Sequence, residues 1–257
     1  MGQTFDRLID RLLHKGSLRR WGRMADATPA MDFATLRRSL GRAWALRRRL
    51  DRVIHQAENR LALPVIGSNA IRKPLGSDWA WRPPLWTGPI PVPGLSSVPG
   101  RAVIDEGATV FHDCRRSELT LRQIRNTREA DLAPFALRLD VYQFDGSFLS
   151  LALDLPAAAC DGLKRRHLIR LDLSVEVEKP LEIFARLNIR HGPNTEQIVR
   201  ELPVQDLTAM VEFDLAYTKL NEKRVDSMWV DLIFEGPQMN QVTLRDLTLS
   251  RYPRAEV

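Results

Sequence analysis

The chain has 257 residues, of which 44% are hydrophobic and 27% charged, and its formal net charge is +6. This composition is typical of a globular protein that buries a core, and it excludes wholesale disorder. No apolar run reaches the length of about eighteen residues that a transmembrane helix needs, and the N-terminus lacks the apolar stretch of a secretory signal. We therefore expect synthesis in the cytoplasm without a signal peptide.

Residues 1–63 are predicted to form a basic helical arm. They contain fourteen Arg and Lys against six Asp and Glu, a balance of +8, whereas the remaining residues balance at −2. Apolar spacing predicts a first amphipathic helix over residues 4–15, with Gly16 as its stop. A second, longer helix is expected to begin after Asp32, a good N-cap residue, and to end before Pro64.

The second helix has apolar residues at heptad spacing, interrupted only by Arg47, which predicts a surface for oligomerisation or docking. Three partners are open for the arm: nucleic acid, a membrane surface, or other protein copies and an acidic protein surface. A wide apolar stripe favours the last, because binding to phosphates alone needs no such stripe. The residues expected to form this surface are Phe33, Leu36, Leu40, Trp44, Leu50, Ile54 and Leu61.

Residues 64–100 are predicted to be an extended, irregular connector, because eight of the sixteen prolines fall there. The connector also contains Trp79, Trp81 and Trp86, and three indoles are too apolar for a solvated linker. It should therefore lie against the domain that follows. The indoles either attach the connector to that domain or contact a glycan or protein partner, and the structural interpretation is favoured.

Residues 101–257 are predicted to form a β-sandwich, because the apolar period changes from 3.6 to 2. About eight strands are expected, with Asp145-Gly146 as a hairpin turn between two of them. The alternation slips phase between Leu244 and Leu247, which is typical of a β-bulge. The overall fold is expected to be mainly β, an antiparallel jelly-roll sandwich preceded by two α-helices.

No catalytic motif is recognisable, and the five histidines are scattered. His112-Asp113-Cys114 could suggest a nucleophile, but alternation on a strand puts the Asp on the opposite face from the other two. Cys114 and Cys160 match no metal or redox spacing and are expected to be core residues. Paired acids such as Asp172 and Glu176 are interpreted as a solvated strand face. We therefore expect no enzyme activity, no metal and no cofactor.

The sandwich resembles the jelly-roll, galactose-binding-like modules of carbohydrate-binding proteins, on the basis of its strand number, the Asp145-Gly146 turn and the closing strand from Val242 to Leu249. The order of helical arm, connector and sandwich resembles an uncharacterised alphaproteobacterial family and the head-spike base proteins of phage-like gene transfer agents. The connector segment Asp78-Trp79-Ala80-Trp81-Arg82-Pro83 is part of this resemblance. That resemblance implies a homo-oligomeric ring, such as a pentamer, incorporated in a phage-like particle. It also implies contact with capsid protein, a spike fibre and capsular polysaccharide.

Two functional hypotheses follow. The first is a non-enzymatic structural adaptor of a phage-like particle, which oligomerises through its helical arm and presents a carbohydrate-binding-like sandwich to a fibre or a cell-surface glycan. The alternative is a glycan-binding module of a cytoplasmic or envelope-associated protein. A jelly-roll hydrolase ranks last, because no acid pair can be located for it. Nucleic acid is not an expected partner.

Overall fold

The computed structural model describes residues 2–62, 70–204 and 207–254, and the side chains of residues 2–13 and of several positions from 52 to 62 lie outside this description. The helices are α1 (Gly2–Ala27), α2 (Phe33–Ala62) and the short α3 (Pro84–Thr87). The strands are β1 (Trp79–Trp81), β2 (Gly94–Ser96), β3 (Arg101–Asp105), β4 (Ala108–His112), β5 (Leu119–Arg125), β6 (Phe135–Val141), β7 (Leu149–Asp154), β8 (His167–Val177), β9 (Glu182–His191), β10 (Asn194–Glu201), β11 (Thr208–Asp214), β12 (Val225–Glu235) and β13 (Asn240–Pro253). The chain divides into two compact units, Met1–Val53 and Ile54–Val257.

The first N-terminal helix is longer than its sequence pattern predicts, whereas α2 (Phe33–Ala62) begins and ends where the sequence predicts. The predicted stop at Gly16 is wrong, because α1 continues through Gly16 to Ala27. A glycine inside a helix costs only about 1 kcal/mol relative to alanine, so one glycine need not end it. The cap of α2 is confirmed: Asp32 Oδ1 accepts hydrogen bonds from the backbone N–H groups of Ala34 and Thr35, at 3.0 and 2.9 Å. Among the described residues, no helix has the length and apolar character needed to cross a membrane.

Within the described part of the chain, thirteen strands form two antiparallel sheets. The front sheet has the order β11-β8-β13-β6-β5-β2, and β1 pairs with the C-terminal half of β13. The back sheet has the order β10-β9-β12-β7-β4-β3. From β6 onward the chain crosses repeatedly between the sheets, so that strands adjacent in sequence, such as β7 and β8, belong to different layers. This confirms the predicted antiparallel jelly-roll sandwich with helices before it.

Alternating apolar residues place the core between the two sheets. On β8, the side chains of Ile169, Leu171, Leu173 and Val175 are buried, while the residues between them are partly exposed. Since successive side chains on a strand point to opposite faces, one face of each strand contributes to the core and the other forms the outer surface. On the front sheet, that outer surface is polar.

The connector is more ordered than its proline content predicts. Strand β1 pairs with β13, with Trp81 opposite Leu249, and β2 pairs with β5. Between them, α3 buries Leu85 and Trp86 completely. The prediction of an irregular segment throughout is therefore wrong. Proline fixes φ near the values of extended chain and is tolerated in the first turn of a helix, so these short edge elements can form around the prolines.

The Asp145-Gly146 segment is not a hairpin turn. Strand β6 belongs to the front sheet and β7 to the back sheet, so this segment bridges the two layers. The Asp113 carboxylate holds it by accepting hydrogen bonds from the N–H groups of Ser147 and Phe148, at 2.7 and 3.2 Å. A Cβ at Gly146 would lie 2.5 Å from Asp113 Oδ1, so the glycine is needed for close packing.

The predicted bulge in the last strand is confirmed. The register between β13 and β8 shifts between Leu244 and Asp246, where the sequence alternation slips phase. The strand number was underestimated: β1, β2, β3 and β10 were not predicted. Strands β1 and β2 have three residues each, and β10 is largely exposed at the sheet edge, so none of these three shows a strong apolar alternation.

Candidate functional site

An open groove of ≈ 720 Å³ crosses the outer face of the front sheet, and we call it the front groove. Its floor contains Asp172 of β8, Met210 of β11 and Thr248 of β13. The strand register aligns these three residues in one row, because Asp172 is opposite both Met210 and Thr248. Directly paired residues of an antiparallel ladder share a face, so the floor follows from the register.

Loops and the connector form the walls of the front groove. One wall comes from the loop between β5 and β6, with Arg128, Asp131 and Leu132. The connector contributes Arg72 and Arg82. The segment between β10 and β11 contributes two apolar residues, Pro203 and Leu207.

Arg82 connects the connector to the floor of the groove. Its Nε and Nη2 atoms donate to the two carboxylate oxygens of Asp246, at 2.7 and 2.9 Å. The same guanidinium donates to the carbonyl of Ala70 at 3.0 Å. The Arg82 side chain is only 2% exposed. A buried bidentate ion pair has a well-defined geometry, so Arg82 fixes the groove wall to which it belongs.

An ion-pair network orders the wall formed by the loop between β5 and β6. Arg128 donates to Asp131 at 3.0 Å and also to Glu176. Arg245 donates to Glu176 Oε2 at 2.6 Å, and this hydrogen bond lowers the pKa of the Glu176 carboxyl group. The fully buried Asn126 amide donates to the carbonyls of Ala133, Phe135 and Arg245, which fixes the loop between β5 and β6.

A third pair lies on the floor itself. Arg170 donates to both carboxylate oxygens of Asp172, with distances of 2.7 to 3.1 Å, and this contact raises the Arg170 pKa. Asp172 and Glu176 lie on the outer face of β8, as predicted for a solvated face, but they are not free in solvent. Both carboxylates are partly buried and paired with arginines from neighbouring positions or strands.

Arg72 differs from the other arginines of the groove. It lies in the wall, its side chain is exposed, and it makes no ion pair with any residue that the structure describes. The groove therefore combines three arginine–aspartate pairs with one guanidinium open to a ligand. Such a surface can hydrogen-bond to hydroxyl groups and attract an anion.

The three tryptophans, for which attachment to the sandwich was favoured over contact with a glycan or partner, do not line the front groove. Trp79 and Trp81 stack on each other with ring centroids 6.5 Å apart, and both pack against the core. Their partners on β13 are Arg251 and Leu249, so they point to the face opposite Thr248. Trp86 is fully buried, and its indole N–H donates to the carbonyl of Leu244 at 2.9 Å. Trp86 therefore has no surface left for a ligand.

The predicted oligomerisation surface on α2 is mostly exposed. Phe33 is 88% exposed, and Leu36 is half-buried. The side chain of Leu61 lies outside the described residues. The other predicted members are exposed by about half of their surface: Leu40, Trp44, Leu50 and Ile54.

Among the side chains that the structure describes, the cysteines and histidines do not form a catalytic group. Burial raises the pKa of the Cys114 thiol, which disfavours the thiolate that a nucleophile needs. His112 Nε2 lies 2.8 Å from the carbonyl of Val98, and its Nδ1 accepts from the Cys114 N–H at 3.2 Å. Cys114 and Cys160 are only partly buried, less than expected for core residues. Among the described residues, no group of three or more His, Cys, Asp and Glu could hold a metal ion.

The residues of the front groove were not identified from the sequence as a site. They come from five separate segments, and a single sequence contains no signal that brings Arg72 or Arg82 near β13. The one available signal is the alternation on β8 and β11, which assigns Asp172 and Met210 to the outer face. The alternation of apolar and polar residues specifies on which face of the sheet a side chain lies, but it does not specify which strand lies beside it.

Residues 1–257 match a family described as a family of unknown function, DUF6478. No curated protein sequence matches the chain. Among solved structures, tailspike protein 4 of bacteriophage CBA120 is 7% identical, with 56% of this chain and 19% of that chain covered, at a TM-score of 0.39. The family 11 carbohydrate-binding module from Clostridium thermocellum is 10% identical. The match covers 64% of this chain and 97% of that module, at a TM-score of 0.39.

The CBM22-1 xylan-binding domain from Paenibacillus barcinonensis Xyn10C is also similar, at 10% identity. The match covers 71% of this chain and 100% of that domain, at a TM-score of 0.34. At TM-scores below 0.5, these likenesses establish neither a common fold nor a common ligand.

Proposed function

We propose that this chain, which belongs to the DUF6478 family, is a non-enzymatic protein whose sandwich binds a saccharide in the front groove. The observation that carries the proposal is the groove itself, an open channel across three strands with a floor of fixed polar groups. Binding sites are concave and combine apolar surface with a few well-placed polar groups, and the front groove has both.

The groove chemistry is suited to hydroxyl-rich ligands. The guanidinium and carboxylate groups of Arg170 and Asp172 are planar and held by mutual hydrogen bonds, so they can bind vicinal hydroxyls with little loss of side-chain entropy. Met210 is 42% exposed and supplies apolar surface for the C–H face of a sugar ring. Thr248 adds a hydroxyl group on the floor.

The same contacts support a binding role over a catalytic one. The three carboxylates that line the groove each accept hydrogen bonds from an arginine, so none is left free to act as a general base. The groove is also open to solvent, whereas most catalytic sites exclude water around the reacting atoms.

A saccharide-binding measurement tests this proposal. The purified chain is screened on a polysaccharide array, and the affinity for any ligand found is measured by isothermal titration calorimetry. Met210→Ala should weaken binding about tenfold, because burial of a methionine side chain contributes on the order of 1.5 kcal/mol. Met239→Ala is the matched control, since Met239 is also exposed but does not line the groove.

Trp81→Ala separates the groove from the tryptophan pair as the binding surface. If the groove binds the saccharide, this variant keeps its affinity and loses stability, because Trp81 packs against the core. Loss of binding with an unchanged melting temperature would instead support the alternative that the tryptophans contact the ligand. Failure of the chain to bind any saccharide on the array would overturn the proposal.

We propose as a second role the adaptor of a phage-like particle, an idea that comes from the resemblance of the layout, and the exposed apolar side chains of α2 would supply its oligomerisation surface. In this role the arm gathers copies of the chain into a ring that docks on an acidic capsid surface, and the sandwich holds a fibre or cell-surface glycan. Leu40 and Trp44 lie one turn apart on α2, and both are exposed by about half of their surface. Exposed apolar patches of this kind mark interaction surfaces.

Light scattering during size-exclusion chromatography tests the adaptor role. The intact chain should elute as an oligomer, and Leu40→Ser with Trp44→Ser should shift it toward the monomer. Arg38→Ser is the control, because Arg38 lies on the opposite side of the helix from Leu40, two residues away. A monomer at high concentration, with and without added capsid protein, would contradict this role.

A further inference from the structure

We infer that the front groove selects saccharides that carry carboxylate groups, such as uronic-acid polymers, and that Arg72 is the residue that recognises the carboxylate. This inference rests on the proposed saccharide-binding function and names the class of ligand. Four observations support it: the charge balance of the groove, the pairing of its carboxylates, the exposure of Arg72 and the geometry of guanidinium recognition.

Among the residues that the structure describes, the groove has more positive than negative groups. Its lining contains four arginines and three aspartates: Arg72, Arg82, Arg128, Arg170, Asp131, Asp172 and Asp246. Beneath the wall, Arg245 and Glu176 add one charge of each sign. The excess of one positive charge therefore remains when these neighbours are included.

The negative groups are already neutralised within the protein. Asp246 is paired with Arg82, Asp131 with Arg128, and Asp172 with Arg170, at 2.7 to 3.0 Å. A cationic ligand would therefore meet no unpaired carboxylate on the lining. An anionic ligand would meet one guanidinium without an internal partner, because Arg72 pairs with no described residue.

Arg72 can reach a ligand without breaking an internal contact. Its side chain is exposed at the wall, whereas that of Arg82 is 2% exposed and tied to Asp246. Arg128 and Arg170 are partly exposed, but a ligand that took them would have to compete with Asp131, Glu176 or Asp172. Of the four arginines that the structure describes in the lining, Arg72 alone offers its guanidinium donors without breaking an internal ion pair.

A sugar carboxylate matches a guanidinium better than a sugar hydroxyl does. The guanidinium presents parallel N–H donors that fit the two oxygens of a carboxylate, and such charge-assisted pairs are about twice as strong as neutral hydrogen bonds. The floor can meanwhile bind the ring hydroxyls through the partly exposed Arg170–Asp172 pair. The carboxylate then sets which saccharide is preferred.

Matched ligands test the inference. The intact chain is titrated with polygalacturonate, alginate and hyaluronan, and with the same polymers after their carboxyl groups have been reduced to alcohols. Neutral β-glucan, xylan and galactan complete the panel. We expect an acidic polymer to bind, and its carboxyl-reduced form to bind about tenfold more weakly, a change of about 1.4 kcal/mol.

Variants then locate the effect. Arg72→Gln should bring the affinity for the acidic polymer down to that of its reduced form, and should leave binding of the reduced form unchanged. Arg72→Lys should recover part of the loss, since it restores the charge without the bidentate geometry. Lys73→Gln is the matched control, because it removes one exposed positive charge at the next position, outside the groove lining.

The outcomes separate this inference from the proposed function. If neutral and acidic polymers bind equally and Arg72→Gln changes neither, saccharide binding stands and the selectivity is wrong. The selectivity is also wrong if Lys73→Gln lowers the affinity as much as Arg72→Gln, because only the net charge would then matter. If no polymer of either kind binds, the proposed function itself fails.

Discussion

Arginine side chains on the front sheet differ widely in burial, and their contribution to stability should differ accordingly. Arg82 is 2% exposed and paired with Asp246, whereas Arg122 is 53% exposed and lies 3.8 Å from Asp140. Solvent screens an exposed pair, so it contributes little. Removal of one partner of a buried pair leaves the charge of the other partner buried and uncompensated, which is strongly destabilising.

Arg82→Ala should therefore lower the free energy of unfolding by roughly 3 kcal/mol. Arg122→Ala should change it by less than about 0.5 kcal/mol. Urea unfolding followed by circular dichroism measures both values. Equal effects of the two substitutions would contradict the assignment of Arg82 as a buried structural anchor of the groove wall.

His167 gives the sandwich a pH-dependent stability. Its side chain is 4% exposed, its Nδ1 accepts from the Lys164 N–H at 3.1 Å, and burial lowers its pKa below the ordinary value of 6.5. As the pH falls through 6.5, the unfolded chain binds a proton at this histidine before the folded chain does. Stability therefore decreases with falling pH in this range.

His167→Asn should reduce this dependence, because the amide oxygen can accept the Lys164 N–H but does not titrate. Between about pH 7.5 and pH 5.5, the urea midpoint of the variant should fall less than that of the unchanged chain. A parallel fall in both proteins would show that His167 does not contribute.

Short elements of the connector stabilise the sandwich. Helix α3 has only four residues, yet Leu85 and Trp86 on it are fully buried, and β1 adds a strand beside the C-terminal half of β13. Isolated helices of this length are unstable in water, so packing must hold α3 in place. The tertiary contacts therefore account for the order of this proline-rich segment.

Trp86→Ala should lower the free energy of unfolding by roughly 3–5 kcal/mol, since it leaves a large cavity and an unsatisfied carbonyl at Leu244. Trp44→Ala is the control: its indole, on α2, is 49% exposed, so the same truncation should change the unfolding of the sandwich by less than about 0.5 kcal/mol. Urea unfolding distinguishes the two. A small effect at Trp86 would mean that the connector is not part of the core.

At the scale of the whole molecule, the sandwich includes part of the connector. The predicted domain start at residue 101 excludes β1, α3 and β2, although β1 and β2 pair with the front sheet and α3 contributes to the core. A fragment of residues 70–257 should therefore unfold cooperatively. A fragment of residues 101–257 should expose the apolar surface that Leu85 and Trp86 cover.

Dye binding and circular dichroism check this expectation. The shorter fragment should bind the hydrophobic dye ANS and lose its sharp urea transition, whereas the longer one should do neither. If the two fragments showed the same ANS binding and the same urea transition, the domain boundary would lie at residue 101.

Local patterns were sufficient to predict the type of most elements. The cap at Asp32, the alternation on β8 and the bulge near Asp246 each depend on neighbouring residues in the chain. The same patterns failed where the local structure depends on contacts beyond the neighbouring residues. Gly16 does not end α1, and Asp145-Gly146 joins two sheets because Asp113, more than thirty residues away, holds it.

The sequence by itself determined that this protein has two basic N-terminal helices followed by an antiparallel sandwich, since periodicity reports which face of each element is apolar. The tertiary structure alone decided where the groove lies and what lines it. Alternation places Asp172 on an outer face but does not say which strands lie beside it, and a change of partners leaves the sequence pattern intact. Only the pairing of β8 with β11 and β13, and the return of the connector across them, brings Met210, Thr248 and Arg72 to one surface.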